Sequence, residues 1–126
     1  MTNHKDLDIW KLSIRLVIAV YKLADILPPP DQYELTGKIK DAVTEIPFNI
    51  ALGAKQATDR KQYIRYLEIS SGYLYVLEQQ LMILIELGLK TPQTIIDEEL
   101  TELKLRIYNL RRSIKYDLLP ERKVIN

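Results

Sequence analysis

The chain has 126 residues, with 18 lysines and arginines against 17 aspartates and glutamates for a net charge of +1, and it contains no cysteine. That length suffices for one domain with a continuous core, and the missing thiols exclude disulfide frameworks, thiolate zinc sites and cysteine nucleophiles. Near-neutrality excludes a global field that would drive the chain onto phosphate, so any anion contact has to come from local patches.

Histidine occurs once, at His4, in a terminus expected to fray, which argues against imidazole catalysis. The N-terminus lacks a signal-peptide pattern, and the apolar stretches 7–27 and 73–89 are broken by Lys11, Arg15 and Lys22 and by Glu78, Gln79, Gln80 and Glu86. A cytoplasmic protein with no membrane span is the expectation.

The first helix is predicted over 7–27, ending at Pro28-Pro29-Pro30, which cannot continue it. It carries two apolar stripes at helical spacing. Leu7, Trp10, Ile14, Val17, Tyr21 and Ala24 are enough to face a bundle core. A second stripe, Ile9, Leu12, Leu16, Val20, Leu23 and Leu27, exceeds what an outer helix of a single bundle needs, and large exposed apolar patches mark partner surfaces. Ile9, Leu12, Leu16, Val20 and Leu23 are therefore the expected interface of a homo-oligomer, the alternative being a broad apolar arc around a fat core.

A second helix is predicted over 37–57, capped by Thr36. On it Ile39, Ala42, Ile46, Asn49 and Gly53 share one line, so Asn49 stands at a core-like position. Pro47 removes the amide that would bond the Val43 carbonyl, which predicts a bend. Gly53 suits a close helix crossing. The segment reads as an architectural kink with a polar latch, a buried amide fixing which helix lies opposite.

Thr58-Asp59 restarts the chain for a third helix over 59–87, ended by Gly88. Ile64, Leu67, Leu74, Leu81 and Ile85 form one apolar line and Ile69, Tyr73, Leu77 and Leu84 lie near another. Glu78, set among Leu74, Leu77, Leu81 and Met82, is expected to make a structural hydrogen bond. At the turn before this helix Lys55, Arg60, Lys61 and Arg65 gather, with Tyr63 and Tyr66 as candidate stacking surfaces. Such a patch can bind phosphate by counterion release, although a turn is also ordinarily charged and hydrated.

Thr91-Pro92 opens a fourth helix over 92–117, and Pro120 closes the regular part. Its charge is polarised: Asp97, Glu98, Glu99 and Glu102 come early, and Lys104, Arg106, Arg111, Arg112, Lys115, Arg122 and Lys123 late. That order complements the helix macrodipole without any ligand. As a nucleic-acid contact only the late half qualifies, with Arg111, Arg112 and Lys115 as its core. The Asp97-Glu98-Glu99 run has no calcium-loop spacing, and no Gly-rich phosphate loop, nucleophile elbow or metal-ligand motif occurs. No catalytic residue, metal or cofactor is assigned. Short connections without β-branched alternating runs predict an all-α, antiparallel up-down four-helix bundle.

"HKDLDIW" (4–10), "YELTGKIKDA" (33–42), "IPFNIALG" (46–53), "QYIRYLEIS" (62–70), "GYLYVLE" (72–78) and "NLRRSI" (109–114) together resemble the four-helix-bundle proteins encoded in intervening sequences of bacterial 23S ribosomal RNA genes, sometimes catalogued as ribosomal proteins. The resemblance implies a ring-like homopentamer and a fold relationship to the accessory proteins of diversity-generating retroelements, which engage nucleic acid and a reverse transcriptase. Trp10, Asn49, Gly53, Arg65, Gly72 and Glu78 match the pattern. The chain departs from it at Lys40-Asp41, where an arginine pair is usual, and at Leu52 and Val76, where acids are usual. The expected function is thus a non-enzymatic, homo-oligomeric helical bundle that binds RNA or a ribonucleoprotein through basic patches; the alternative is a protein-interaction scaffold that binds no nucleic acid.

Overall fold

The computed structural model describes residues 7–27, 33–89 and 91–116. His4, the proline stop at 28–30, the expected helix end at residue 117, Pro120, Arg122 and Lys123 lie outside them. Among the described residues the chain is all-α, with four helices and no strand: α1 (Asp8–Ile26), α2 (Tyr33–Lys55), α3 (Arg60–Glu86) and α4 (Thr101–Tyr116), the last preceded by a π-helical stretch, Ile95–Leu100. α2 lies between α1 and α3, α4 packs on α3 and α1, and the π stretch closes against α1, so all four helices surround one core. That core contains Leu16 and Val20 of α1, Ile39, Val43, Ile46 and Ile50 of α2, Leu67, Leu74, Leu77 and Leu81 of α3, and Leu103 and Ile107 of α4.

The helix ends follow local chemistry. Asp59 stands before α3 in extended backbone, and its side chain accepts the Gln62 amide, filling one of the orphan donors of the first turn. At the other end Gly88 has φ +77, the Gly88 amide donates to the Ile85 carbonyl and the Leu89 amide to the Leu84 carbonyl. This is a Schellman motif; the left-handed residue requires glycine, and Leu89 folds back onto the core. α2 begins at Tyr33, so Thr36 and Gly37 sit inside it, where Thr36 is a helical residue and not the expected cap.

The doubled stripe of α1 is resolved within one chain. Ile9, Leu16, Val20 and Leu23 are all at most 5% exposed and belong to the core, and Leu12 is half-buried against it. Ile9, Leu16, Val20 and Leu23 are therefore spent on the core of their own chain, where they meet α2, α4 and the π stretch, and they offer no face to a neighbour; Leu12 keeps part of its surface exposed. Leu7, Trp10 and Val17 of the other stripe pack on its flank, and Tyr21 is exposed with the Lys40 ammonium 4.9 Å from its ring centroid. A broad apolar arc absorbs both stripes. Ser13 fits among them because its hydroxyl donates to the Trp10 carbonyl at 2.6 Å.

The Pro47 segment joins α2 to α3. The helix runs unbroken through Pro47, which is buried. Asn49 is 6% exposed, but its amide donates to the Glu45 carbonyl at 2.8 Å and to Glu45 Oε1 at 3.3 Å, within its own helix. The bond across the two helices comes from elsewhere: the fully buried Ser70 hydroxyl donates to the Ile46 carbonyl at 3.0 Å. At Gly53 a Cβ would stand 3.1 Å from Tyr63 Cδ1 and 3.1 Å from Tyr66 Cβ, so the missing side chain sets the closeness of the crossing.

Large apolar side chains do remain outside: Ile18 and Ile26 on α1, and others on α2 and α3. Ile69, Val76 and Ile83 are exposed along α3 at seven-residue intervals, which keeps them on one face, and Gly72 stands between the first two with nothing within 4 Å of its Cβ position. Phe48 and Leu52, one turn apart, are exposed on α2.

Candidate nucleic-acid interface

The first turn of α3 and the last turns of α4 lie side by side and enclose an open cleft of about 700 Å³, lined by Lys61, Ile64, Glu68, Tyr108, Arg111, Arg112, Lys115 and Tyr116. On α4, Tyr108, Arg111, Arg112, Lys115 and Tyr116 are spaced three, four, seven and eight from the first, which places them on one face. Four cations face one carboxylate, a local charge of +3. Glu68 is engaged with Arg111 at 3.5 Å, and Arg111 Nε is buried with no hydrogen-bond partner. Guanidinium forks are suited to the paired oxygens of phosphate.

This geometry redistributes the expected basic clusters. Lys61 joins Arg111, Arg112 and Lys115, although they are far apart in sequence, while Lys55, Arg60 and Arg65 are exposed and do not line the cleft. Tyr63 is 6% exposed and its ring lies against Gly53, so it presents no open face for stacking, while Tyr66 is half-buried. The exposed rings are instead Tyr108 and Tyr116, and Lys115 Nζ stands 5.5 Å from the Tyr116 centroid. The helical spacing of Tyr108 and Tyr116 with three cations was present in the sequence and is the signal that locates them.

Upstream cations are already neutralised. Lys104 Nζ bonds Glu78 Oε1 at 2.7 Å and stands 4.5 Å from the Tyr75 centroid, with both ionic side chains mostly buried; Glu78 thus ties α3 to α4. Arg106 meets Glu102 at 3.0 Å and Asp8 at 3.5 Å. Among the cations of α4, those of its last two turns are the ones left to face an external anion.

The acidic entry to this helix is irregular. In an α-helix Ile95 and Leu100 would point about 140° apart, but the wider i→i+5 turn stacks residues five apart and lets Ile95, Ile96 and Leu100 all be buried. The Thr101 hydroxyl donates to the Ile96 carbonyl at 3.0 Å, satisfying an acceptor loosened by that turn. The Glu99 carboxyl is held above the usual carboxylate range, by burial first and by the charge of Glu98 second. An acid whose folded pKa is raised opposes folding when ionised: the penalty is full above the folded pKa and disappears as pH falls below the unfolded value. Glu99→Gln should therefore raise the melting temperature at neutral pH, and thermal denaturation followed in acid should show the gain shrinking to nothing.

Among the described residues no group of three or more His, Cys, Asp or Glu side chains could hold a metal ion, and no helix is long and apolar enough to cross a membrane. Helices packed round a single core, with a cationic tyrosine-edged cleft between α3 and α4, define a helical-bundle protein. The family described as 23S rRNA-intervening sequence protein matches residues 5–115, and the chain belongs to that family. No curated protein matches it.

Proposed function

We propose that this chain is a non-enzymatic, cytoplasmic, up-down helical bundle that assembles with copies of itself, as a pentamer, and binds RNA through the cleft between α3 and α4. The observation that carries the RNA reading is the gathering of Lys61 with Arg111, Arg112 and Lys115 around one cavity. Membership of a family described by a ribosomal RNA intervening sequence gives that anion site its most natural ligand class. A non-enzymatic role fits a sequence with no cysteine and a single histidine. Self-association is supported by the exposed apolar line of α3, which the described residues leave in water.

The RNA reading is tested by fluorescence anisotropy of a labelled oligoribonucleotide across a salt series, with the full chain and with Lys61→Glu, Arg111→Glu, Arg112→Glu and Lys115→Glu. Each single reversal should weaken binding and flatten the dependence of log affinity on log salt by about one phosphate contact. A wild-type chain with no affinity at low salt, or reversals that change nothing, would reject the cleft.

A second reading, a scaffold that binds another protein and no nucleic acid, is favoured by the same α3 line together with Phe48 and Leu52 on α2. Under it, a partner recovered with the chain stays bound after nuclease treatment and the four reversals are silent.

A further inference from the structure

Resting on the reading that the cleft binds RNA, we propose that it takes unpaired nucleotides, with bases stacked on Tyr108 and Tyr116 and the phosphates between them held by Lys61, Arg111, Arg112 and Lys115. Tyr108 is 56% exposed and Tyr116 59%, unusual for two tyrosines on a helix whose other face is the core. Eight residues of helix separate them by about 12 Å along the axis, and the cations lie between and beside them on the same face. Aromatic rings alternating with cations are how sequence-tolerant single-strand binders grip bases and backbone together.

The size and surroundings of the cleft argue against a duplex. About 700 Å³ falls within the range of a small-ligand pocket, whereas double-stranded RNA is read by contacts spread over about 16 base pairs and two minor grooves. Toward the start of α4 the same face continues as Lys104, already bonded to Glu78, and beyond it Asp97, Glu98 and Glu99 present carboxylates to an approaching backbone. Among the described residues the cationic surface is therefore short, and a short footprint gains affinity from stacking, which only unpaired bases supply. Lys115, 5.5 Å from the Tyr116 ring centroid, sets a phosphate ligand directly beside a stacking surface.

The test compares a short labelled oligoadenylate with an RNA duplex of the same length, using the full chain, Tyr108→Leu, Tyr116→Leu and the matching Tyr→Phe variants. Both rings are exposed, so circular dichroism should report unchanged helix content throughout. The expected result is tighter binding of the single strand, a loss of roughly five- to a hundredfold for each leucine variant, and recovery with phenylalanine, which keeps the ring. Equal or tighter duplex binding overturns the proposal. So do leucine variants that bind like wild type while Arg111→Glu still weakens binding; in that case the RNA reading survives and stacking falls. Failure of both RNAs to bind the wild-type chain removes the two together.

Discussion

Leu16→Asp leaves the chain unfolded and does not release a folded single subunit. Leu16 is 1% exposed and lies in the core. An ionised carboxylate at such a position cannot be paired, and the cost of burying it exceeds the stability margin of about 5–15 kcal/mol typical of a domain. Leu16→Ala is the milder form, expected to cost about 2–5 kcal/mol through lost transfer energy and the cavity left behind. Far-UV circular dichroism with thermal denaturation at several protein concentrations separates this from the interface alternative. If Leu16 met a neighbouring copy, the aspartate variant would keep its helical spectrum and melt independently of concentration, with a lower mass by light scattering. Loss of the spectrum itself is the outcome that burial within one chain requires.

Leu16 also marks the limit of what periodicity reveals. The two stripes of α1 were legible as stripes, but spacing of three and four residues identifies any face of a helix and does not say which face turns inward. Ser13 broke the tie invisibly: a polar residue that closes its own hydrogen bond onto Trp10 can sit between Ile9 and Leu16 in the core. The restart at Asp59 and the stop at Gly88 were readable because each is decided by one residue's local chemistry. Thr36 was misread since threonine serves inside a helix as well as before one. There Leu35 packs on the core and Glu34 pairs with Lys38 at 3.4 Å, which favours extending α2 backward to Tyr33. The π stretch had no local signal at all; it follows from burying Ile95 and Ile96 together with Leu100. The cleft was half legible. Its α4 side could be read from spacing, but Lys61 belongs to a turn more than forty residues away, and only the packing of α3 on α4 brings them together.

Charging the outer face of α3 should dissociate the proposed assembly and leave each subunit folded. Val76 and Ile83 are 46% and 49% exposed, and with Ile69 they form a line that none of the described residues covers. Val76 and Ile83 keep about half of their surface in water, so burying both against a neighbour contributes about 1.5–3 kcal/mol together, and Val76→Glu with Ile83→Glu replaces that gain by the cost of desolvating two carboxylates. Because neither residue is in the core, the double variant should keep the wild-type circular dichroism spectrum while its scattering mass falls to 14.7 kDa. Gly72 gives the argument a second arm. A glycine within an exposed helix is about 1 kcal/mol less favourable than alanine, and no atom lies within 4 Å of its Cβ position. In a free subunit, then, Gly72→Ala can only stabilise. If a second copy crosses at this glycine, a bulkier Gly72→Leu should weaken association as strongly as the two glutamates do, while its dissociated subunit melts no lower than the dissociated double glutamate variant. A wild-type chain that is monomeric at working concentration, or a double variant that keeps its mass, places the α3 line outside any contact between copies.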